Sequence, residues 1–436
     1  MGFQRKTFFV FLFLLAFTFL ITIILLTKHQ DFEKKTNSKT MENLKKTTKR
    51  SEQKTVEEIE NENKTKQELK KQEEEKIKKM NDELSKFPKA NPEAQVFYYI
   101  WYENPTENGK FKHWNHQVLP HWTPDVNKQY PNVGKEYDAS KDSIGANYFP
   151  KRGLYASSSD ATITDHFIDM YTNGIGTAIV SWWGTTQSDE NGSNGDSLIP
   201  KLLKCAEITN MKIVFHLEPY KDRSALSTKR DMEYIIDKYG GSSAFYRFNG
   251  KPMFYIYDSY LINENQWNDV LSINGKNTIR KTKYDSIVIS LYLNNQANNF
   301  ILTSNFDGIY TYFASVGFTG GSTITNWDQI QNWCLQNNKI FIPSVGPGYD
   351  DTRIRPWNSA NRKNREDGNY YKKMFSKAIE VKSKIISITS YNEWHEGTQI
   401  EASIPKKIEH YSYENFLPND PQYYMKLTKK LIETWK

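Results

Sequence analysis

The sequence predicts an α/β protein whose main body is a (β/α)8 TIM barrel, preceded by a transmembrane signal anchor and a charged stalk. Three observations carry that expectation. Eight short apolar runs rich in β-branched and aromatic residues recur between positions 95 and 391, helix-like stretches separate most of them, and no run is followed by a glycine-rich phosphate turn. Near-continuous apolar strands alternating with helices specify a parallel sheet covered by helices. Eight is the strand count of a closed barrel. A doubly wound sheet is the alternative, and the missing phosphate turn counts against it.

The elements follow in chain order. Residues 1–6 are a short tail containing Arg5 and Lys6. "TFFVFLFLLAFTFLITIILLT" (7–27) is 21 residues without a charge, enough to cross ~30 Å of hydrocarbon as a helix. The two basic residues before it place the tail in the cytosol. A cleaved signal peptide would show a shorter apolar core and a small-residue cleavage site, and "LLTKHQDFEKK" offers none. Residues 28–90 carry 18 Lys/Arg against 14 Asp/Glu, with Phe32 and Phe87 the only aromatics. So polar a segment buries too little apolar surface to offset its ordering entropy, and it reads as a solvated, partly helical lumenal stalk.

The stalk and tail also account for the charge. The chain is formally +7, but residues 91–436 hold 38 Lys/Arg against 37 Asp/Glu. The basic balance belongs to the tether, which excludes nucleic acid as the partner it points to. Two cysteines, Cys205 and Cys334, make no disulfide framework and read as buried free thiols. Asn63 and Asn191 head N-x-S/T triplets, the form of a glycosylation acceptor.

From Gln95 the strand runs are 95–102, 177–183, 212–220, 251–258, 286–293, 308–313, 339–345 and 384–391. Helix-like segments such as "DSLIPKLLKCAEITN" and "NYYKKMFSKAIEVKS" lie between them. Barrel active sites lie at the C-terminal strand ends. Here those ends carry Trp101, Tyr102, Trp182, Trp183, His216, Glu218, Tyr220, Tyr255, Tyr257, Asp258, Tyr310 and Tyr312. "GPGYDDTRIRPWN" and "NEWHEGTQIE" follow the last two strands. Flat aromatic faces among carboxylates, amides and imidazoles suit a sugar ring. Glycoside cleavage usually employs two carboxyl groups, and Glu393 and Glu396 are three residues apart. On a helical turn their Cβ atoms would lie about 5–6 Å apart, near the spacing of a retaining hydrolase. An E-x-x-E pair alone is common on solvated surfaces; its place after the last strand lifts it above that reading. Glu218 would project into the same cleft. No H-x-x-x-H or H-E-x-x-H spacing accompanies His395, so no metal and no other cofactor is expected.

"FYYIWYENPTENGKFKHWNHQVLPHW", "FHLEPY", "PMFYIYDSY", "FDGIYTYFAS", "FIPSVGPGYDDTRIRPWN" and "SITSYNEWHEGTQIE" together resemble the endo-α-1,2-mannosidases of glycoside hydrolase family 99. The resemblance runs from about residue 95 to about 430, and the anchor and stalk are similar to those of its animal Golgi members. It implies a type II membrane protein of the Golgi, held in the bilayer through 7–27 with a lumenal catalytic barrel. It implies a retaining endo-hydrolase that cuts an internal α-1,2-mannosidic bond of glucosylated high-mannose N-glycans, releasing a glucosylated mannose oligosaccharide. It further implies Glu393 as base on the substrate 2-hydroxyl, by a 1,2-anhydro sugar route, and Glu396 as general acid/base. Glu218, His216, Tyr220, Trp114, His116, Trp183, Tyr257, Tyr312, Asn392, Trp394 and His395 are the expected sugar contacts.

The chain departs from the animal pattern in two places. "WYENP" puts Glu103 where glycine is usual, and "SWWGT" (181–185) stands for "SWYPP", followed by the polar loop "QSDENGSNGD". That loop would border outer sugar subsites. Two other classes share some of these features. A membrane-tethered, lectin-like barrel would bind glycans without cleaving them, and the intact glutamate pair argues against it. A glycosyltransferase shares the topology, but it would show a metal-binding acidic motif and a nucleotide-sugar fold.

Overall fold

The computed structural model describes residues 3–435, and within the first helix the side chains of 3–26, 50–60 and a few scattered positions lie outside the description. The candidate anchor at 7–27 falls, but for its last residue, among these undescribed side chains. The chain divides into two compact units, residues 1–80 and 81–436.

Helix α1 runs Phe3–Leu84, so the stalk is continuously helical where the sequence led us to expect partial order. Lys, Glu and Gln are good helix formers. Pairs one turn apart, such as Lys46–Glu42 at 2.8 Å and Lys70–Glu74 at 3.9 Å, add roughly 0.3–0.5 kcal/mol each. The hydroxyls of Thr40, Thr47 and Thr65 bond the carbonyl four residues back. The helix ends just before Pro88, which cannot continue it.

The second unit alternates strand and helix: β1 (Asn91–Tyr98), α2 (Asp160–Thr172), β2 (Ile175–Trp182), α3 (Ile199–Ile208), β3 (Lys212–Leu217), α4 (Ala225–Tyr239), β4 (Lys251–Ile256) and α5 (Glu264–Leu271). There follow β5 (Ile287–Leu291), α6 (Ala297–Ser304), β6 (Gly308–Tyr310), α7 (Trp327–Gln336), β7 (Ile340–Ile342, resuming at Ser344–Val345), α8 (Asn369–Glu380), β8 (Ile386–Ile388) and α9 (Tyr423–Thr434). These strands pair in parallel in sequence order, and β8 pairs with β1. The result is a nearly closed parallel barrel. Its seam is β7, whose first part pairs with β6 and second part with β8. Pro343 separates the two because it has no N–H for the ladder, while its carbonyl still accepts Ser387 N–H at 3.2 Å.

Strand ends are set by side chains that capture backbone groups. β1 stops at Tyr98 because Tyr99 N–H goes to the Asn392 amide oxygen at 2.8 Å. Trp101 and Tyr102 therefore stand on a loop rather than on the strand. β6 stops where Tyr312 N–H turns to Ser344 Oγ at 2.7 Å. The barrel interior is aromatic: Phe97, Tyr255 and Tyr310 meet ring to ring at 5.1–6.0 Å. Tyr255 donates to Gln95 at 2.7 Å, giving the buried hydroxyl its partner. Cys205 and Cys334 are buried free thiols.

Candidate active site

The loop after β8 carries the two glutamates. It makes a turn rather than a helix: Trp394 N–H bonds Asn392 O at 3.0 Å, and Gly397 N–H bonds Trp394 O at 3.2 Å. Gly397 has φ +61, and an added Cβ would lie 2.8 Å from Asp350 O. A side chain there would meet both a strained backbone and a clash. Below the turn, Asn392 clamps Tyr99 by accepting its N–H at 2.8 Å and donating to its carbonyl at 2.9 Å. Tyr102 donates to Asn392 O, and its hydroxyl also accepts Trp394 N–H. Arg365 donates to the carbonyls of Gly397 and Gln399. The pair sits on a loop fastened at both ends.

Glu393 is 4% exposed and Glu396 half-buried. Both face a cleft of about 170 Å³ that is lined also by Tyr99, Trp101, His113, His116, Trp183, Glu190, His216, Glu218, Tyr257, Tyr312, Arg355 and His395. Larger clefts open beside Asp169 (about 390 Å³) and Arg353 (about 400 Å³), but carboxylates converge with aromatic faces in the smaller one. Burial, then the neighbouring Glu396, pushes the Glu393 carboxyl well above its usual range. Burial also pushes Glu396 up to about 7, against the opposing pull of Arg355. Burial and the nearness of the other acid thus disfavour ionising both carboxyls together.

The surrounding groups are oriented for recognition. Tyr312 donates to Glu396 at 3.3 Å and shares a 2.6 Å hydrogen bond with Tyr99. Its φ of 50 is a strained value for a non-glycine residue, held by Ser344 at its N–H and by Thr389 at its carbonyl. Ser181 donates to Glu218 Oε1 at 2.8 Å, and His216 Nδ1 lies 2.8 Å from the same oxygen. His216 Nε2 meets Tyr310 OH at 2.7 Å. His395 Nδ1 donates to Gly145 O at 2.8 Å, leaving Nε2 without a protein partner. Burial, with His116 and His113 nearby, drives its pKa well down. It is a neutral ring offering a bare acceptor. Trp101 and Trp183 each bury an indole N–H that has no protein partner, a donor free for a ligand hydroxyl. Among the described residues no group of three His, Cys, Asp or Glu is arranged to hold a metal ion.

Nine residues expected at the site meet in this cleft: Glu393, Glu396, Glu218, His216, His116, Trp183, Tyr257, Tyr312 and His395. Four expected sugar contacts lie elsewhere. Trp114 is fully buried, stacked on Tyr102 at 4.1 Å and donating to Tyr155 O. Trp394 points back to Glu401 and Tyr155, both at 3.1 Å. Asn392 is spent on the Tyr99 clamp. Tyr220 turns outward to Ser227 and Asp231. Residue type gave no clue to which way these side chains face. Conversely, His113, Glu190 and Arg355 line the cleft from long loops, where no strand period marks an inward side.

Residues 90–436 match glycosyl hydrolase family 99. The chain belongs to that family. As a family 99 member it is 44% identical over 355 residues to the glycoprotein endo-alpha-1,2-mannosidase of Xenopus laevis, an alignment covering 80% of this chain and 78% of that protein. It is also 44% identical over 355 residues to the Rattus norvegicus protein of the same name, covering 80% and 76%. Among solved structures, the GH99 endo-alpha-mannosidase from Bacteroides thetaiotaomicron superposes with a TM-score of 0.74 at 39% identity, spanning 79% of this chain and 98% of that one. The family 99 match covers the whole barrel and leaves α1 outside it.

Proposed function

We propose that this family 99 hydrolase is a retaining endo-α-1,2-mannosidase acting on glucosylated high-mannose N-glycans. The observation that carries the chemistry is the placement of two raised-pKa glutamates on one fastened turn, facing a cleft of aromatic and hydrogen-bonding groups. In the first step the mannose 2-hydroxyl gives its proton to Glu393 while its oxygen attacks the anomeric carbon. The bond to the leaving oxygen breaks, and Glu396 supplies that oxygen with a proton. In the second step water opens the 1,2-anhydro ring. Glu396 takes the water proton and Glu393 returns its own to the sugar oxygen. Two inversions give net retention.

Burial and Glu396 push Glu393, the intended base, toward its protonated form. A bound 2-hydroxyl donating to Glu393 favours its ionised form, as does the His395 N–H already at 3.0 Å. Binding thus favours an ionised Glu393 beside a protonated Glu396. Neighbouring-group attack needs no second molecule to be brought in, which removes much of the entropic part of the barrel's task. Residues 7–27 would hold the enzyme in the Golgi membrane in type II orientation, with the barrel in the lumen.

The test is incubation of the purified chain with a glucosylated high-mannose glycan. Release of a glucosyl-mannose oligosaccharide with retained anomeric configuration by the native enzyme, and none by Glu396→Gln, is the expected result. Tight binding with no release by the native chain would leave a lectin-like barrel instead.

A further inference from the structure

Trp122 is 80% exposed, the most exposed large apolar side chain among the described residues. A lone apolar residue at the surface is ordinary. This one belongs to a cluster. Its ring centroid lies 3.8 Å from that of His121 and 5.1 Å from that of Trp357, and Trp357 meets both rings edge to face, at 90° and 80°. The frame of the cluster is fixed by hydrogen bonds. The Asn127 side chain accepts His121 N–H at 2.7 Å and donates to His121 O at 3.1 Å. His121 Nδ1 accepts Thr123 N–H at 2.9 Å, which leaves the ring proton on Nε2 as a donor. Trp357 Nε1 donates to Leu119 O at 3.2 Å. Rings held in place this way lose little freedom when a ligand settles on them.

Two segments lead from the catalytic cleft to these rings. Leu119 N–H donates to Ile354 O at 2.7 Å, and the Trp357 bond to Leu119 follows it, so residues 116–122 and 354–357 run side by side. At their inner ends His116, Ile354 and Arg355 line the cleft; at their outer ends stand His121, Trp122 and Trp357. Arg355 and Trp357 are two residues apart, at most about 7 Å along the chain. The same loop is tied to the acid, because Asp350 N–H donates to Glu396 O at 2.7 Å. The cluster therefore stands beside the cleft on the loop that borders Glu396, the group that protonates the leaving oxygen. A cleft of about 170 Å³ is small even for a single drug-sized ligand. The branched remainder of a glycan has to lie on the surface outside it.

We propose that the Trp122–His121–Trp357 cluster is a stacking platform for a hexose in the branched remainder of the glycan, outside the cleft and on the leaving-group side of the cut. This rests on the endo-mannosidase reading above. The exposed indole face meets the C–H face of a sugar ring, and His121 Nε2 offers a donor to a hydroxyl at the ring's edge. Thr123 and Asp125 beside it are exposed and polar. The apolar area is thus a ring or two wide, the footprint of a sugar rather than of a protein interface.

The experiment uses the full chain and three free oligosaccharides. One is the complete glucosylated high-mannose glycan. The second keeps its glycone but has a single mannose as leaving group, and the third is the second with one more glucose on the glycone. Trp122→Ala should lower kcat/KM on the complete glycan by about 3–10-fold, in KM rather than kcat. Both short substrates should keep their native values within about twofold. Trp122→Phe retains a ring and should keep most of the native preference for the complete glycan. Because the indole is solvent-exposed, Trp122→Ala should melt within about 2 °C of native, so folded enzymes are being compared. Equal losses on complete and short substrates, or a loss confined to the longer glycone, would overturn the proposal. So would no loss on any of the three, the result expected of a platform that takes polypeptide. A native chain that cleaves none of them would overturn the mannosidase reading instead.

Discussion

Arg365 lies between β7 and α8 and is 8% exposed. One guanidinium nitrogen donates to Gly397 O at 2.9 Å and Gln399 O at 2.8 Å. The guanidinium carbon sits 4.5 Å from the ring centroids of Tyr148 and Tyr424 and 5.0 Å from that of Phe416. Replacing it by Met removes two charge-assisted bonds, roughly 1.5–3 kcal/mol each, and leaves two carbonyls without their donor. It also removes cation–π contacts of roughly 0.5–2 kcal/mol. Two effects oppose this: the Nε and the other terminal nitrogen are buried without protein partners, and Met refills apolar volume. The expected net loss is about 3–5 kcal/mol, a fall in Tm of roughly 6–12 °C. Because Gly397 follows Glu396 directly, kcat should fall with stability in the folded variant. Arg365→Lys, a point donor that cannot span both carbonyls, should lie between. Thermal scans with parallel rates check this; a Tm within about 2 °C of native for Met would show that the loop does not depend on Arg365.

Glu393→Gln and Glu396→Gln should each lower kcat by about 10²–10⁴-fold with KM little changed, read by product release. As the acid, Glu396 must be protonated, so the rate should decline as pH rises through about 7; Tyr312→Phe removes a hydrogen bond that holds this pKa down, and should move that decline to higher pH. A raised folded-state carboxyl contributes stability that is fully present below its unfolded value and lost as pH rises through the folded one. Glu396→Gln should therefore melt above native at pH 8 and converge with it at pH 4 in thermal scans. Asn191 buries its amide nitrogen while Asn63 is exposed, so peptide mass spectrometry of the chain purified from animal cells should find no glycan on Asn191.

The eight strands were legible because a parallel strand covered by helices must be apolar on both faces, and that leaves a continuous run of Val, Ile, Phe and Tyr. Their ends were not. The run 95–102 became Asn91–Tyr98, since Asn392, almost three hundred residues away, captures the next N–H. The stalk helix was underestimated because propensity and one-turn ion pairs sustain it without an apolar face. Glu393 and Glu396 were legible as a pair of acids after the last strand. Trp394, between them, has the same local signature and points the other way.

What the sequence determined by itself was the order of strands and helices, the charged segment before them and the acids after β8. These are properties of local composition and period, and they survive without knowing any partner. What only the tertiary structure decided was which side chains share a cleft, which acid is buried deeper, and that His121, Trp122 and Trp357 form one cluster. Those depend on distances between residues far apart in the chain. Burial and proximity, which set a pKa and aim a carboxylate, do not exist until the barrel closes.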